Sequence, residues 1–147
     1  MGKKIVIVED NPADAKTLRF ALSRRDPDIE TFVLEDGARA IEYFSRTDTE
    51  TPELVLLDLN LPVVNGFEVL EFLKSSPQLR KLPVIVLSGS SNQNEIERCY
   101  AAGANSYICK PTGIQEVFDM AAELVSYWFH HAKLPNRFAA PPKAATG

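Results

Sequence analysis

The 147-residue chain is 45% hydrophobic and carries 16 basic against 20 acidic side chains, a formal net charge of 16 − 20 = −4. That is enough for one domain with a full core and too little for a second, and the lack of a Lys/Arg stripe argues against nucleic-acid binding. The aliphatic runs fall short of the roughly 20 residues that span a bilayer, and Met1-Gly2-Lys3-Lys4 shows neither a signal peptide nor, with Val6 where Ser or Thr is needed, a myristoylation pattern, so a cytoplasmic protein is expected.

The first predicted element is a strand over 4–8 that ends in the acidic pair Glu9-Asp10. Asn11 followed by Pro12 supplies the N-cap and first-turn proline of a helix with Leu18, Ala21 and Leu22 as its buried stripe. A strand over 29–34 follows, and Asp36 caps a second helix that runs through Phe44. The strand over 54–57 ends at Asp58, and Asn65 with Glu68 three residues on forms a capping box for the third helix.

A strand over 83–87 ends at Ser88, and Asn92 with Glu95 repeats the capping-box spacing. The strand over 105–109 ends at Lys110-Pro111. Thr112 and Gln115 then open the last helix as a T-x-x-Q box, its apolar positions running from Ile114 to Trp128 and Phe129 at helical spacing. Asp36-Gly37 and Asn65-Gly66 are hairpin signals only between alternating strands, so both are read as entries to helices. Cys99 and Cys109 lie in apolar contexts and are expected as buried, reduced thiols, and His130-His131 as a polar helix end. Residues 1–133 form the expected domain and 134–147 an arm or tail.

Strands alternating with helices five times predict a parallel sheet with helices around it. Ligands of such sheets bind beyond the carboxyl ends of the strands. Glu9, Asp10, Asp58 and Lys110 all fall at that edge if their strands are neighbours. Asp58 can then act as a nucleophile towards a phosphoryl group, forming an acyl phosphate. Mg²⁺ held by Glu9, Asp10, Asp58 and the Asn60 carbonyl would offset the repulsion between acid and phosphoryl. Lys110 supplies an ammonium on the other side, and Ser88 a hydroxyl whose bond to a phosphoryl oxygen draws its loop inward. Tyr107, on the strand face of Cys109, would turn as that loop moves. Each residue alone has a plainer reading, as a turn, a cap or a strand end; their joint placement favours a site.

These motifs resemble the receiver domain of two-component response regulators over about residues 4–131: Glu9-Asp10, Asp58-Leu-Asn-Leu-Pro62 with Gly66, Ser88 after Val-Ile-Val-Leu, and Lys110-Pro111. The resemblance implies a flavodoxin-like doubly wound (βα)5 fold with a five-stranded parallel sheet of order 2-1-3-4-5. It also implies that Asp58 accepts a phosphoryl group from a histidine kinase with Mg²⁺ bound at Glu9, Asp10 and the Asn60 carbonyl. Ser88 and Tyr107 become the switch pair, Lys110 the phosphate partner, and the peptide before Pro111 is expected to be cis. Ser126-Tyr127-Trp128-Phe129 with Leu134-Pro135 is similar to the stand-alone regulators of bacterial and cyanobacterial phytochrome kinases. That narrower likeness implies a phytochrome kinase partner, no output domain, and a homodimer through the last helix and the C-terminal arm.

Gly89, where many relatives carry a side chain, leaves the site open and predicts a short-lived acyl phosphate. The competing readings are an aspartyl-phosphate phosphatase, which needs an acid where Asn60 stands, and an FMN binder, whose phosphate Glu9-Asp10 would repel.

Overall fold

Runs such as Ile5-Val6-Ile7-Val8 and Leu54-Val55-Leu56-Leu57 are apolar on both faces, so they are stable only in the middle of a sheet covered on both sides. The computed structural model, which describes residues 3–46 and 50–135, places them there. Strands β1 (Lys3–Val8), β2 (Ile29–Leu34), β3 (Leu54–Asp58), β4 (Val84–Ser88) and β5 (Ser106–Cys109) form one parallel sheet in the order β2-β1-β3-β4-β5. The central strands β3 and β4 are buried at every position, whereas the edge strands β2 and β5 alternate or stay half-exposed.

The helices are α1 (Pro12–Arg25), α2 (Gly37–Ser45), α3 (Gly66–Ser75), α4 (Gln93–Ala101) and α5 (Ile114–Val125). One face of the sheet packs Ile5, Ile7, Leu54, Leu56, Ile85 and Leu87 against Leu18, Ala21 and Leu22 of α1 and Met120, Ala121 and Leu124 of α5. The other packs Val6, Val8, Val55, Leu57 and Val86 against α2 and α3. The period of two along each strand thus feeds two separate cores.

Register sets the position of the site. Val8 pairs with Leu57 and Asp58 with Leu87, so the residues that end β1, β3 and β4 emerge side by side at the carboxyl edge. The β3–α3 loop returns closely over that edge, with the Gly66 amide donating to the Leu59 carbonyl at 2.9 Å. A Cβ at position 66 would collide with the Asp58 carbonyl oxygen, so this turn requires glycine. Within the loop Val63 takes a left-handed φ of 62° and is 98% exposed, a costly conformation for a β-branched residue.

Most caps are as expected. The Asn11 side chain accepts from the Ala13 and Asp14 amides, Asp36 from Arg39, and Asn65 with Glu68 makes both bonds of a capping box. Two differ. Asn92 accepts from the Glu95 amide, but its own amide is taken by the Ser90 hydroxyl at 3.0 Å, and the Glu95 carboxylate turns to the Tyr107 hydroxyl instead. The Thr112/Gln115 box does not form, because α5 begins one residue late with Gly113 as its cap. Glu116, now third in the helix, folds its carboxylate against Gly113, and Gln115 reaches forward to Asp119 at 2.9 Å.

The last helix also does not continue as α to Phe129. Ser126–His131 wind as a π-helix, closed by the Ala132 amide on the Tyr127 carbonyl at 2.7 Å. The wider turn lets Trp128 and Phe129 both pack against the α1/α5 core, while Tyr127 remains 55% exposed. Both rings are partly buried against that core. Cys99 is fully buried, but Cys109 is exposed, since the end of edge strand β5 projects beyond its cover; both are free thiols. Of the expected arm 134–147, residues 136–147 lie outside the described residues.

Candidate functional site

Three carboxylates, Glu9, Asp10 and Asp58, bring oxygens within 4.8 Å of one another at the carboxyl edge. Glu9 and Asp58 are each 5% exposed, whereas Asp10 is open to solvent. Hard oxygen donors, two of them fixed and one open to water, fit a small divalent cation that keeps part of its hydration shell. The Asn11 amide donates to Glu9 Oε2 at 3.1 Å and the Asn60 amide to Asp58 Oδ1 at 3.1 Å, and these backbone bonds aim both acids.

Lys110 joins the cluster from β5. Its Nζ lies 2.7 Å from Glu9 Oε1, 3.3 Å from Asp58 Oδ2 and 3.2 Å from Asp14 Oδ2. Burial alone would lower the pKa of this ammonium, but Glu9, Asp58 and Asp14 outweigh it and hold the pKa above the ordinary lysine value. Burial likewise pushes the Glu9 carboxyl up to about 7, against the opposing pull of Lys110 and the Asn11 amide and with further help from the charge of Asp58. The site thus combines a lysine kept charged with an acid that surrenders its proton near neutrality.

Ser88 ends β4 fully buried, its hydroxyl accepting from the Ser90 amide at 3.2 Å. Beside it, a Cβ on Gly89 would meet nothing within 4 Å. Tyr107 lies half-buried beneath the same loop and donates its hydroxyl to the Ser90 carbonyl at 2.9 Å and to Glu95 Oε1 at 3.1 Å. Burial raises the pKa of this phenol, with Ser88 acting against the shift and Glu95 with it. Tyr107 and Cys109 share a strand face, as expected; the Cys109 thiol lies 3.7 Å from the same Ser90 carbonyl.

One expectation fails at the site. Among the described residues no peptide bond is cis, so Lys110–Pro111 is trans, the isomer X–Pro bonds favour by about 0.5–1 kcal/mol. In this trans chain the Lys110 amide donates to the Ser88 carbonyl at 2.7 Å and its side chain still reaches the acids. One participant went unread in the sequence. Asp14 sits one turn into α1, where it is indistinguishable from an ordinary first-turn acid, and only the approach of β5 to α1 pairs it with Lys110. Both residues border a cleft of about 140 Å³ between α1 and the start of α5, with Thr17, Leu18 and Met120 among its walls.

A five-stranded 2-1-3-4-5 sheet with this acidic edge defines a class. The family model for the response regulator receiver domain matches residues 5–122, and the chain belongs to that family. Among its relatives is the response regulator Rcp1 of Synechocystis sp., 34% identical over 137 residues that cover 90% of this chain and 93% of that protein. A probable methanogenesis regulatory protein, FilR2 of Methanothrix harundinacea, is 35% identical over 135 residues, covering 90% of this chain and 87% of the other.

The crystal structure of the phosphorylated cyanobacterial phytochrome response regulator RcpA superposes with a TM-score of 0.88 at 36% identity, covering 92% of this chain and all of the other (100%). That of Rcp1 in its Mn²⁺-bound form gives 0.85 at 33% identity, covering 91% of this chain and 99% of the other. The protein is thus a response regulator of two-component signalling, related to the phytochrome response regulators. Receiver domains bind a divalent cation at this acidic pocket and partner histidine kinases. Response regulators of this class are generally non-enzymatic signalling proteins.

Proposed function

We propose that Asp58 is the phosphoryl acceptor, with Glu9, Asp10, Asp58 and the Asn60 carbonyl holding Mg²⁺, Lys110 and Ser88 binding the phosphoryl oxygens, and Tyr107 reading the result. The observation that carries this is Lys110: its ammonium lies 3.3 Å from Asp58 Oδ2 and 2.7 Å from Glu9 Oε1, already next to the place where phosphoryl charge would arrive. A divalent cation held by those oxygens would neutralise part of the charge brought together as the phosphoryl group meets the acid. An Asp58 oxygen attacks the phosphorus of a kinase phosphohistidine. The P–N bond breaks with its electron pair returning to the imidazole, and an acyl phosphate forms on Asp58.

The new phosphoryl oxygens offer the Ser88 hydroxyl a charge-assisted bond and the Lys110 ammonium a further anionic acceptor. To reach them, Ser88 gives up the Ser90 amide, and the Ser90 carbonyl that holds Tyr107 moves with the loop. Phosphorylation so biases a two-state element made of the β4–α4 loop and Tyr107. Asn60 supports a signal over a phosphatase. Its amide donates to the acceptor, and its side chain cannot protonate a leaving group.

The kinase is proposed to be a phytochrome, on the likeness to Rcp1 and RcpA. Residues 1–133 serve as the receiver domain and 134–147 as an arm, in a cytoplasmic protein that does not bind nucleic acid; no described helix is long and apolar enough to cross a membrane. A homodimer through the last helix and the arm finds support in exposed Ile114, 67% accessible, and Tyr127, 55%. Sedimentation of the wild type beside Tyr127→Lys tests it, and a wild-type monomer at micromolar concentration would refute it.

For the main reading, autophosphorylated phytochrome and non-phytochrome kinases are each incubated with wild type and Asp58→Asn, with and without Mg²⁺. Transfer is expected only to the wild type, only with metal, and fastest from the phytochrome. Label on Asp58→Asn, or transfer that ignores metal, would contradict it.

A further inference from the structure

The loop between Asp58 and α3 is held on both sides of Val63. Leu61 is buried in the core, the Val64 carbonyl lies so near the start of α2 that a Cβ on Gly37 would collide with it, and Gly66 packs against the Asp58 carbonyl. Between these holds the chain passes through a left-handed φ of 62° at Val63 and turns that side chain outward, 98% exposed. Asn or Gly would take up that backbone with less strain, and a polar group would suit that exposure. Valine is unfavourable on both counts, and at that exposure it has no packing among the described residues to offset the strain.

We infer that Val63 is a specificity-determining contact for phosphoryl transfer, meeting an apolar side chain on the protein that carries the phosphohistidine. The inference rests on the reading of Asp58 as acceptor. Asp58 is 5% exposed, so a donor reaches it through the rim formed by the carboxyl-edge loops, and Val63 projects from one of them. An imidazole borne on a protein brings that protein's surface against the rim, whereas a small phosphoryl donor does not. The apex itself is apolar: Pro62 beside Val63 is exposed as well and Val64 is half-buried. A second copy of the chain seated there would obstruct the approach to Asp58, and the exposed apolar side chains that support a dimer lie on the last helix instead.

The strain is present before and after docking, so it holds the side chain outward in advance. Val63 has a single stiff side-chain torsion and little freedom left to lose on contact. The contact forms as the donor docks and does not change as phosphorus moves from nitrogen to oxygen. It therefore lowers KM for the donor and leaves the maximal rate unaltered.

Wild type, Val63→Asn and Val63→Ile are each labelled with Mg²⁺ from two donors, phosphoramidate and the autophosphorylated kinase that labels wild type fastest. Melting curves follow folding and sedimentation follows self-association. Val63→Asn is expected to raise KM for the kinase roughly tenfold, the equivalent of covering one valine side chain. It should take phosphoramidate at the wild-type rate and melt about 2–4 °C higher, because Asn accepts the left-handed backbone. Val63→Ile, still apolar and branched, should keep the wild-type KM. An unchanged KM in Val63→Asn, a lower melting temperature for it, equal slowing with both donors, or Val63→Ile as weak as Val63→Asn would each overturn the inference. Altered self-association of Val63→Asn with an unchanged KM would give the residue to a second copy and overturn it too. A wild type that takes label from neither donor would instead overturn the acceptor assignment.

Discussion

Glu9 shows how much a single side chain here depends on its surroundings. Burial lifts its carboxyl to about 7, so between the unfolded value of 4.5 and that point the folded protein keeps a proton the unfolded chain has released. Its contribution to stability therefore falls as pH rises from about 4.5 to 7 and is level above. In EDTA the melting temperature of wild type relative to Glu9→Gln should decline across that window, and added Mg²⁺ should stabilise more at pH 8 than at pH 5.5. A difference that stays flat with pH would refute the assignment. Gly89 gives a second prediction. Because a Cβ there meets nothing within 4 Å, Gly89→Thr should fold normally and partly close the approach of water to the acceptor. Its acyl phosphate should outlive that of wild type; an unchanged or faster decay would rule out openness as the cause. Both Glu9 and Gly89 were legible as residues, but the proton affinity of Glu9 was not, since burial is a property of neighbours remote in the chain.

Among the elements, α3 is the one on which the acceptor loop leans. Asn65 and Glu68 bond reciprocally at its start, and the next residue, Gly66, lies against Asp58. Asn65→Ala should cost about 1 kcal/mol, the usual value of an N-cap, measurable by urea unfolding. A loss under a few tenths would mean that the loop is held by packing alone. The capping box was readable because both bonds are local. The T-x-x-Q reading at Thr112 failed for the complementary reason: Gly113 and Glu116 offered an equally local alternative, and sequence spacing could not rank the two. At α4 the half-made box is informative. Glu95 leaves its cap for the Tyr107 hydroxyl, which ties the start of α4 to β5. A contact spanning 12 residues cannot be found by counting within one helix.

In the whole molecule, strand order converts separate motifs into a site. Lys74 shows the same dependence on order at the opposite edge of the sheet, where its Nζ donates to the carbonyls of Arg80 and Leu82 at 3.0 and 2.8 Å and to Asn105 Oδ1 at 3.1 Å. It gathers the chain entering β4 and the chain entering β5, and burial lowers its pKa. Lys74→Met keeps the packing but takes the ammonium from the Arg80 and Leu82 carbonyls, while Asn105 Oδ1 keeps the Val84 amide at 2.9 Å, so a loss of about 1–3 kcal/mol is expected. Unfolding at the wild-type midpoint would show that water replaces the ammonium without cost.

What the sequence determined on its own was most of what has a short period or a local bond: five strands, five helices with most of their starts, and the acids, hydroxyl and lysine that end the strands. Those signals survive because solvent and local backbone geometry impose them before any tertiary contact forms. Only the tertiary structure decided which of those ends meet. It brought Asp14 to Lys110, turned Glu95 to Tyr107, wound Ser126–His131 so that Trp128 and Phe129 both reach the core, and left Cys109 exposed and Lys110–Pro111 trans. These outcomes depend on the packing of strands and helices far apart in the chain, where one residue's burial or charge is set by another that local spacing does not specify.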